Sequence, residues 1–307
     1  MPILNKDMTL CISLSGRPSN IGTRFHNYLY DALELNYIYK AFSTGDLPAA
    51  IAGVRGLGIR GCAVSMPFKE AVIPLVDELD PSAAAIESVN TIVNSDGHLK
   101  AYNTDYLAIQ RLVERHAVAP CPVVVRGSGG MAKAVVAALR DAGFTDGTVL
   151  ARNEAAGRAL AEQYGWRVAA QAPSCAVPDA AGAAGAADAA GAAGAAEASG
   201  AEDAARADVA VGAGLLVNVT PIGMAGGAES AEQSFSDAAI AAASVVWDVV
   251  AMPSETPLIR AARAAGKRVI TGAEVIAIQA EEQFVLYTGV RPSAELVAEA
   301  SAFSLQQ

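Results

Sequence analysis

The sequence predicts an α/β protein of two domains, an N-terminal α/β domain and a second built on a doubly wound, Rossmann-type sheet. Three observations carry this reading. Short apolar strands alternate with amphipathic helices through the N-terminal third, the pattern of a sheet with helical crossovers. A glycine-rich turn, Gly127-x-Gly129-x-x-Ala132, follows one strand directly and opens a helix. The length, 307 residues, suits two domains of about 150 residues each.

Residues 8–14 read as a buried strand ending at Ser15-Gly16-Arg17-Pro18. A helix is expected from about Phe25 to Leu35, with Phe25, Leu29 and Leu33 on one face. Residues 37–42 are rich in strand formers, and Asp46 is placed to cap a helix over Leu47–Leu57. Residues 60–65 form the next strand. Asp96-Gly97 predicts a hairpin joining 90–93 to 99–102. The second unit starts near Pro122, with strands at 123–125, 149–151, 215–219 and 245–250. Its helices run from the glycine turn to Ala142, closed by Gly143, and over about 154–163. Two further helices, about 272–287 and 293–303, end the chain. The expected domains are 1–106 plus 271–307 for substrate and 107–270 for the nucleotide.

The chain is 52% hydrophobic with a net charge of −10, which excludes a disordered chain and argues against a nucleic-acid or anionic-membrane binder. Five of the acids lie in 179–205, an Ala/Gly-dominated insertion without Lys or Arg, so half of the net charge belongs to that segment. The insertion reads as a tolerated surface loop, since closure entropy grows only logarithmically with length; a lid or interaction role is the alternative. No signal peptide or membrane span is read, and the expected location is cytoplasmic. Cys11, Cys62, Cys121 and Cys175 are far apart and read as free thiols. No metal site is expected. His26 reads as a packed helix residue, His98 and His116 as surface residues at a hairpin and a helix end.

The glycine turn has a physical job at each position. Gly127 permits the tight turn, Gly129 lets the backbone approach a pyrophosphate, and Ala132 lets helix and strand pack closely. Ser128, Gly130 and Met131 complete the loop. The next strand ends Leu150-Ala151-Arg152-Asn153, without the acid that binds an NAD ribose. Arg152 is placed to pair with a 2′-phosphate, which favours NADP(H). Arg126, Lys133 and Arg158 add charge nearby or lie in solvent.

In the first domain, Val64-Ser65-Met66-Pro67-Phe68-Lys69-Glu70 places a lysine in an apolar turn past a strand end, a setting suited to proton transfer. Lys69, Asn90 and Asp105 can converge on a small hydroxylated ligand, although caps and turns use Asn, Thr and Asp just as readily.

These segments resemble the shikimate dehydrogenase family. The lysine turn is similar to its V-T-x-P-[FY]-K-E, Ser88–Thr91 to A-V-N-T, Asn103-Thr104-Asp105 to N-T-D, and 216–224 to I-N-A-T-x-x-G-M. Residues 272–280 resemble its G-x-x-M-L-x-x-Q-A. The resemblance spans almost the whole chain in order. It implies Lys69 and Asp105 as the catalytic pair, with Ser65, Asn90, Asn103 and Gln279 toward substrate. Asn218, Thr220, Gly223, Met224, Val249 and Gly272 are implied near the nicotinamide, in a cleft between the domains. The implied reaction is NADP(H)-dependent interconversion of 3-dehydroshikimate and shikimate by a monomer or homodimer. Quinate or another hydroxylated ring acid, or an NADP(H)-binding module with little turnover, are the alternatives.

The sequence also departs from the family pattern. The S-x-S-P serines that bind the substrate carboxylate are replaced around Asn20-Ile21-Gly22-Thr23. Ser15, Ser19, Asn20 and Thr23 remain as donors, with Arg24 as a source of charge. Tyr106 replaces the glycine of N-T-D-G. These departures resemble the divergent, shikimate dehydrogenase-like branch.

Overall fold

Alternating apolar and polar residues place strands and helices where their burial can be shared, and the computed structural model describes residues 4–16, 18–65, 67–170, 210 and 212–305. The insertion 179–205, Cys175, Arg17 and Met66 lie outside the described residues. The chain divides into two compact units. The first comprises 1–119, 133–142 and 272–307; the second comprises 120–132 and 143–271.

The first unit holds a six-stranded mixed sheet. Its strands are β1 (Thr9–Leu14), β2 (Tyr37–Phe42), β3 (Gly61–Val64), β4 (Glu78–Leu79), β5 (Thr91–Ser95) and β6 (His98–Tyr102), in the order β2-β1-β3-β5-β6-β4. β2, β1 and β3 run parallel, and β5 pairs antiparallel with both β3 and β6. The hairpin turns at Asp96 and Gly97, both at positive φ (52° and 90°), the conformation that an Asp-Gly pair adopts at low strain. Asp46 caps α2 (Leu47–Gly56) by accepting from the Ala49 N–H at 2.9 Å, as its side-chain chemistry predicts. Helix α1 (Asn20–Ala32) starts five residues before Phe25, because its first turn is polar and partly exposed and so leaves no apolar periodicity. Helix α3 is Pro81–Ala84, and α4 (Thr104–Arg115) follows β6 directly.

The second unit is built on a fully parallel sheet. Its strands are β7 (Val123–Arg126), β8 (Gly147–Ala151), β9 (Arg167–Ala170), β10 (Leu215–Asn218), β11 (Val245–Asp248) and β12 (Arg268–Ile270), ordered β12-β11-β10-β7-β8-β9. The chain leaves β7 toward one edge and returns on the other side of it at β10. This reversal puts a ligand crevice at the carboxyl ends of β7 and β10. The helices are α6 (Glu154–Tyr164), α7 (Asp237–Ala242) and α8 (Pro257–Ala264), while α5 (Gly130–Asp141) starts in this unit and from Lys133 is counted with the first. The short elements β4, α3, β9, β12, α7 and α8 are not expected from apolar periodicity, which needs longer windows to register. Helices α9 (Gly272–Thr288) and α10 (Ala294–Leu305) belong to the first unit. Among the described residues no helix is long and apolar enough to cross a membrane.

One face of the first sheet packs Ile12, Leu14, Val64 and Ile92 against α2; the other packs Cys11 and Tyr39 against Phe25, Leu29, Phe284 and Tyr287. His26 sits in this second layer, 1% exposed, its ring stacked on Tyr39 at 4.4 Å. Burial, opposed by a hydrogen bond with Gln283, lowers its pKa from 6.5 to about 3. The folded state thus refuses a proton that the unfolded chain takes up below pH 6.5. Stability from this group is full above pH 6.5 and is lost as pH falls toward 3. Urea titrations at pH 6.5 and 4.5 are expected to differ by about 2–3 kcal/mol from this residue. His26→Phe, which keeps the stacking, should remove that part of the pH dependence; an unchanged slope would show that other groups cause it.

His116 caps the end of α4, but it is half-buried and paired with Glu274 at 2.8 Å rather than a lone surface residue. Cys11 and Cys62 are buried free thiols, and Cys121 is a partly buried one.

Candidate functional site

Within the first unit, three chain segments meet at the carboxyl ends of β3 and β6. The turn after β3 carries Lys69, whose backbone carbonyl accepts from Val89 N–H at 2.9 Å; this ties the turn to the residue preceding Asn90. Asn103 caps α4 by accepting from Tyr106 N–H at 3.1 Å. The cap sets Asp105 in the first helical turn, where an acid is favoured by the helix dipole. Lys69 Nζ donates to Asp105 Oδ2 at 2.9 Å, with the lysine side chain 29% exposed and the carboxylate 8%. The pair is therefore partly shielded from water, with the ammonium as its accessible end.

Asn90 is 2% exposed. Its Oδ1 accepts from Thr91 Oγ1 at 2.9 Å, Thr104 N–H at 2.8 Å and Thr104 Oγ1 at 3.2 Å. These donors assign the amide orientation. They leave Asn90 Nδ2 buried with no protein partner among the described residues. A buried amide donor without a partner is costly, and a ligand oxygen would relieve it. Gln283, on α9, donates to Thr91 Oγ1 at 3.0 Å and supports the same cluster from behind. Both threonines lie inside the motifs read from the sequence but without a role of their own, and Gln283 lies outside them, because a residue that orients another side chain has no spacing signature.

The remaining expected substrate residues are distributed as follows. Ser15 and Ser65 directly follow the parallel neighbours β1 and β3, so both lie at strand carboxyl ends. Asn20 is exposed at the start of α1, and Thr23 Oγ1 is buried without a partner among the described residues. Gln279 is half-buried on α9. The Asn103 side chain is occupied inside the protein, donating to Ser88 O at 2.9 Å while it caps α4. The Arg24 guanidinium lies over the Phe303 ring, 4.8 Å from its centre.

In the second unit the glycine turn joins β7 to α5. Gly127 adopts φ +127°, and a Cβ there would come within 2.7 Å of Val219, so this position requires glycine. Ala132 is fully buried, as close helix packing demands. Gly129 and Gly130 are exposed, and a Cβ at either would meet no atom within 4 Å. Ser128 and Met131 are half-buried beside them. The helix start is thus open to an approaching anion, and a pyrophosphate fits this loop.

Arg152 follows β8 at its carboxyl end, half-exposed, with Nη1 3.1 Å from Glu229 Oε1. Arg126, partly buried, donates to the Ser234 carbonyl; burial and the charge of Arg152 push its pKa down. Asn218 is fully buried and its side chain is spent on the loop itself. Its Oδ1 accepts from Thr220 N–H at 3.1 Å and Oγ1 at 2.6 Å, and its Nδ2 donates to Asp248 Oδ1 at 3.0 Å. Asn218 therefore shapes the 218–224 loop. In that loop Gly223 is buried against Thr256 and Pro257, while Met224 is exposed. Val249 is half-buried and donates its N–H to Asn218 O at 3.0 Å. In the first unit, Gly272 is buried as the first residue of α9.

Known proteins resemble this chain along most of its length. Residues 20–92 match the shikimate dehydrogenase substrate binding domain family. The chain is 54% identical over 303 residues to a shikimate dehydrogenase-like protein of Haemophilus influenzae, covering 98% of each. It is 35% identical over 274 residues to shikimate dehydrogenase (NADP(+)) of Chlorobium phaeobacteroides, covering 86% of this chain and 85% of that one. The structure of shikimate 5-dehydrogenase from Thermus thermophilus, in complex with NADP(H) and shikimate, superposes with a TM-score of 0.76. It is 27% identical, covering 97% of this chain and 100% of the other.

Proposed function

The chain belongs to the shikimate dehydrogenase family, and from that membership we propose that it interconverts 3-dehydroshikimate and shikimate. It is an NADP-dependent oxidoreductase acting on a CH–OH group. Residues 1–106 with 271–307 are assigned to substrate and catalysis, and 107–270 to NADP(H), in a cytoplasmic monomer or homodimer.

The observation that carries the substrate reading is the Lys69–Asp105 pair at 2.9 Å, with the free Asn90 amide on the neighbouring segment. When bound, NADPH supplies the hydride that reduces the ring carbonyl. Lys69 donates a proton to the oxygen that becomes the alcohol, and its positive charge stabilises the charge developing there. Asp105 orients the ammonium and accepts from a ring hydroxyl. Asn90 donates its free amide hydrogen to a second ring oxygen. Ser15, Asn20, Thr23 and Ser65 supply donors toward the carboxylate in place of the family's serine pair, with Gln279 toward a hydroxyl. The open N–H groups at the start of α5 hold the pyrophosphate, and Arg152 pairs with the 2′-phosphate. Thr220, Gly223, Met224 and Val249, in the loops Asn218 shapes, are assigned to the nicotinamide end of the cofactor within the second unit, and Gly272 is the cofactor residue assigned within the first.

Purified protein with 3-dehydroshikimate is expected to oxidise NADPH about tenfold more efficiently than NADH, measured by nicotinamide absorbance. Faster turnover of quinate than of shikimate in the reverse direction would reassign the substrate. Background rates with every ring acid would make the protein a nucleotide-binding module.

A further inference from the structure

The strand tip that should carry an acid for an NAD ribose carries Arg152, yet a carboxylate stands beside that arginine. It comes from Glu229, in the segment between β10 and α7, 77 residues along the chain. The Glu229 side chain is 22% exposed, and Arg152 Nη1 lies 3.1 Å from its Oε1. The glutamate is held in place from its own backbone, because the Glu229 carbonyl accepts from Gly223 N–H at 2.9 Å. Arg126, on β7, lies close enough for the charge of Arg152 to oppose its own, with Glu229 and Glu232 offsetting that at Arg126.

We infer that Glu229 is a specificity-determining residue at the adenosine ribose, a carboxylate that competes with the 2′-phosphate of NADP for Arg152 and can accept the 2′-hydroxyl of NAD. The inference rests on the reading of Gly127–Ala132 and Arg152 as the nucleotide site. A 2′-phosphate must exchange Glu229 for itself on Arg152 and is repelled by the displaced carboxylate. A ribose 2′-hydroxyl needs no exchange, since it donates to Glu229 while the ion pair stays closed. The acid missing from the strand tip is thereby supplied from another loop, and preference for the phosphorylated nucleotide is held below what Arg152 alone would give.

The test uses the full-length protein and calorimetric titration with two probes that differ only in the 2′-phosphate, 2′,5′-ADP, which carries it, and 5′-AMP, which does not. Glu229→Gln should tighten 2′,5′-ADP about fivefold, the scale of a partly exposed ion pair, and weaken 5′-AMP severalfold. Glu255→Gln, which removes a carboxylate paired with Arg263 in the same unit, should leave the ratio of the two affinities unchanged. Arg152→Ala tests the underlying reading separately and should abolish the advantage of 2′,5′-ADP. A flat response to Glu229→Gln with a normal response to Arg152→Ala overturns this inference alone. An equal shift in Glu255→Gln also overturns it, by assigning the effect to net charge. Failure of the unmodified protein to bind either probe overturns the nucleotide site and the inference with it.

Discussion

Replacing Lys69 by alanine is expected to lower kcat about 10³-fold with a much smaller change in KM, which is about 4 kcal/mol of transition-state stabilisation. The physical basis is the placement of one ammonium. Its backbone is tied to Val89, its Nζ is held 2.9 Å from Asp105, and its side chain keeps 29% of its surface accessible. Asp105→Asn keeps a hydrogen-bond acceptor but removes the negative charge, so its loss of kcat should be smaller. Steady-state kinetics on both variants, with thermal unfolding to confirm folding, check the assignment. A drop of less than about tenfold in Lys69→Ala would remove the lysine from proton transfer.

Asp248→Ala is expected to destabilise the protein by about 3–5 kcal/mol in urea unfolding. Asp248 is fully buried at the end of β11. It accepts from Thr256 Oγ1 at 2.6 Å, Val250 N–H at 3.0 Å and Asn218 Nδ2 at 3.0 Å. Burial raises its pKa, and those hydrogen bonds oppose the shift. Truncation would remove at once the acceptor of the Thr256 hydroxyl at the cap of α8, that of Val250 N–H, and the shortest of the Asn218 Nδ2 bonds, whose others run to Thr220 O and Ile222 O. Against a typical total of about 5–15 kcal/mol, this is a large fraction of the stability of a domain. Asp248→Asn retains most acceptor sites and should cost less. Equal stability of all three proteins would mean that water or rearrangement satisfies the cluster.

Most of the fold could be read from local chemistry. Asp46 announces its own cap, Asp96-Gly97 its own turn, and Gly127-x-Gly129-x-x-Ala132 its strand-turn-helix setting, because each acts within a few residues of chain. Long amphipathic helices are equally visible. Six short elements, β4, α3, β9, β12, α7 and α8, are not, and α4 shows only as a helix end at His116; α8 carries the Thr256-Pro257 cap signal, but it is only eight residues long. The early start of α1 was hidden for a related reason, since its first turn is polar and partly exposed.

For the site, the sequence by itself determined the residue types and the order of the motifs: Lys69, Asp105, Asn90, the glycine turn and Arg152. Only the tertiary structure decided which groups remain free to act. Asn103 and Asn218 look like ligand-facing amides along the chain, and the fold gives each a structural task as well, Asn103 at a helix cap and Asn218 in a loop. Asn90 keeps a free amide nitrogen because Thr91 and Thr104 occupy its oxygen. Arg152 met its counter-ion from a residue far along the chain. A motif reports what a side chain can do, whereas hydrogen-bond satisfaction is settled across segments that only folding brings together.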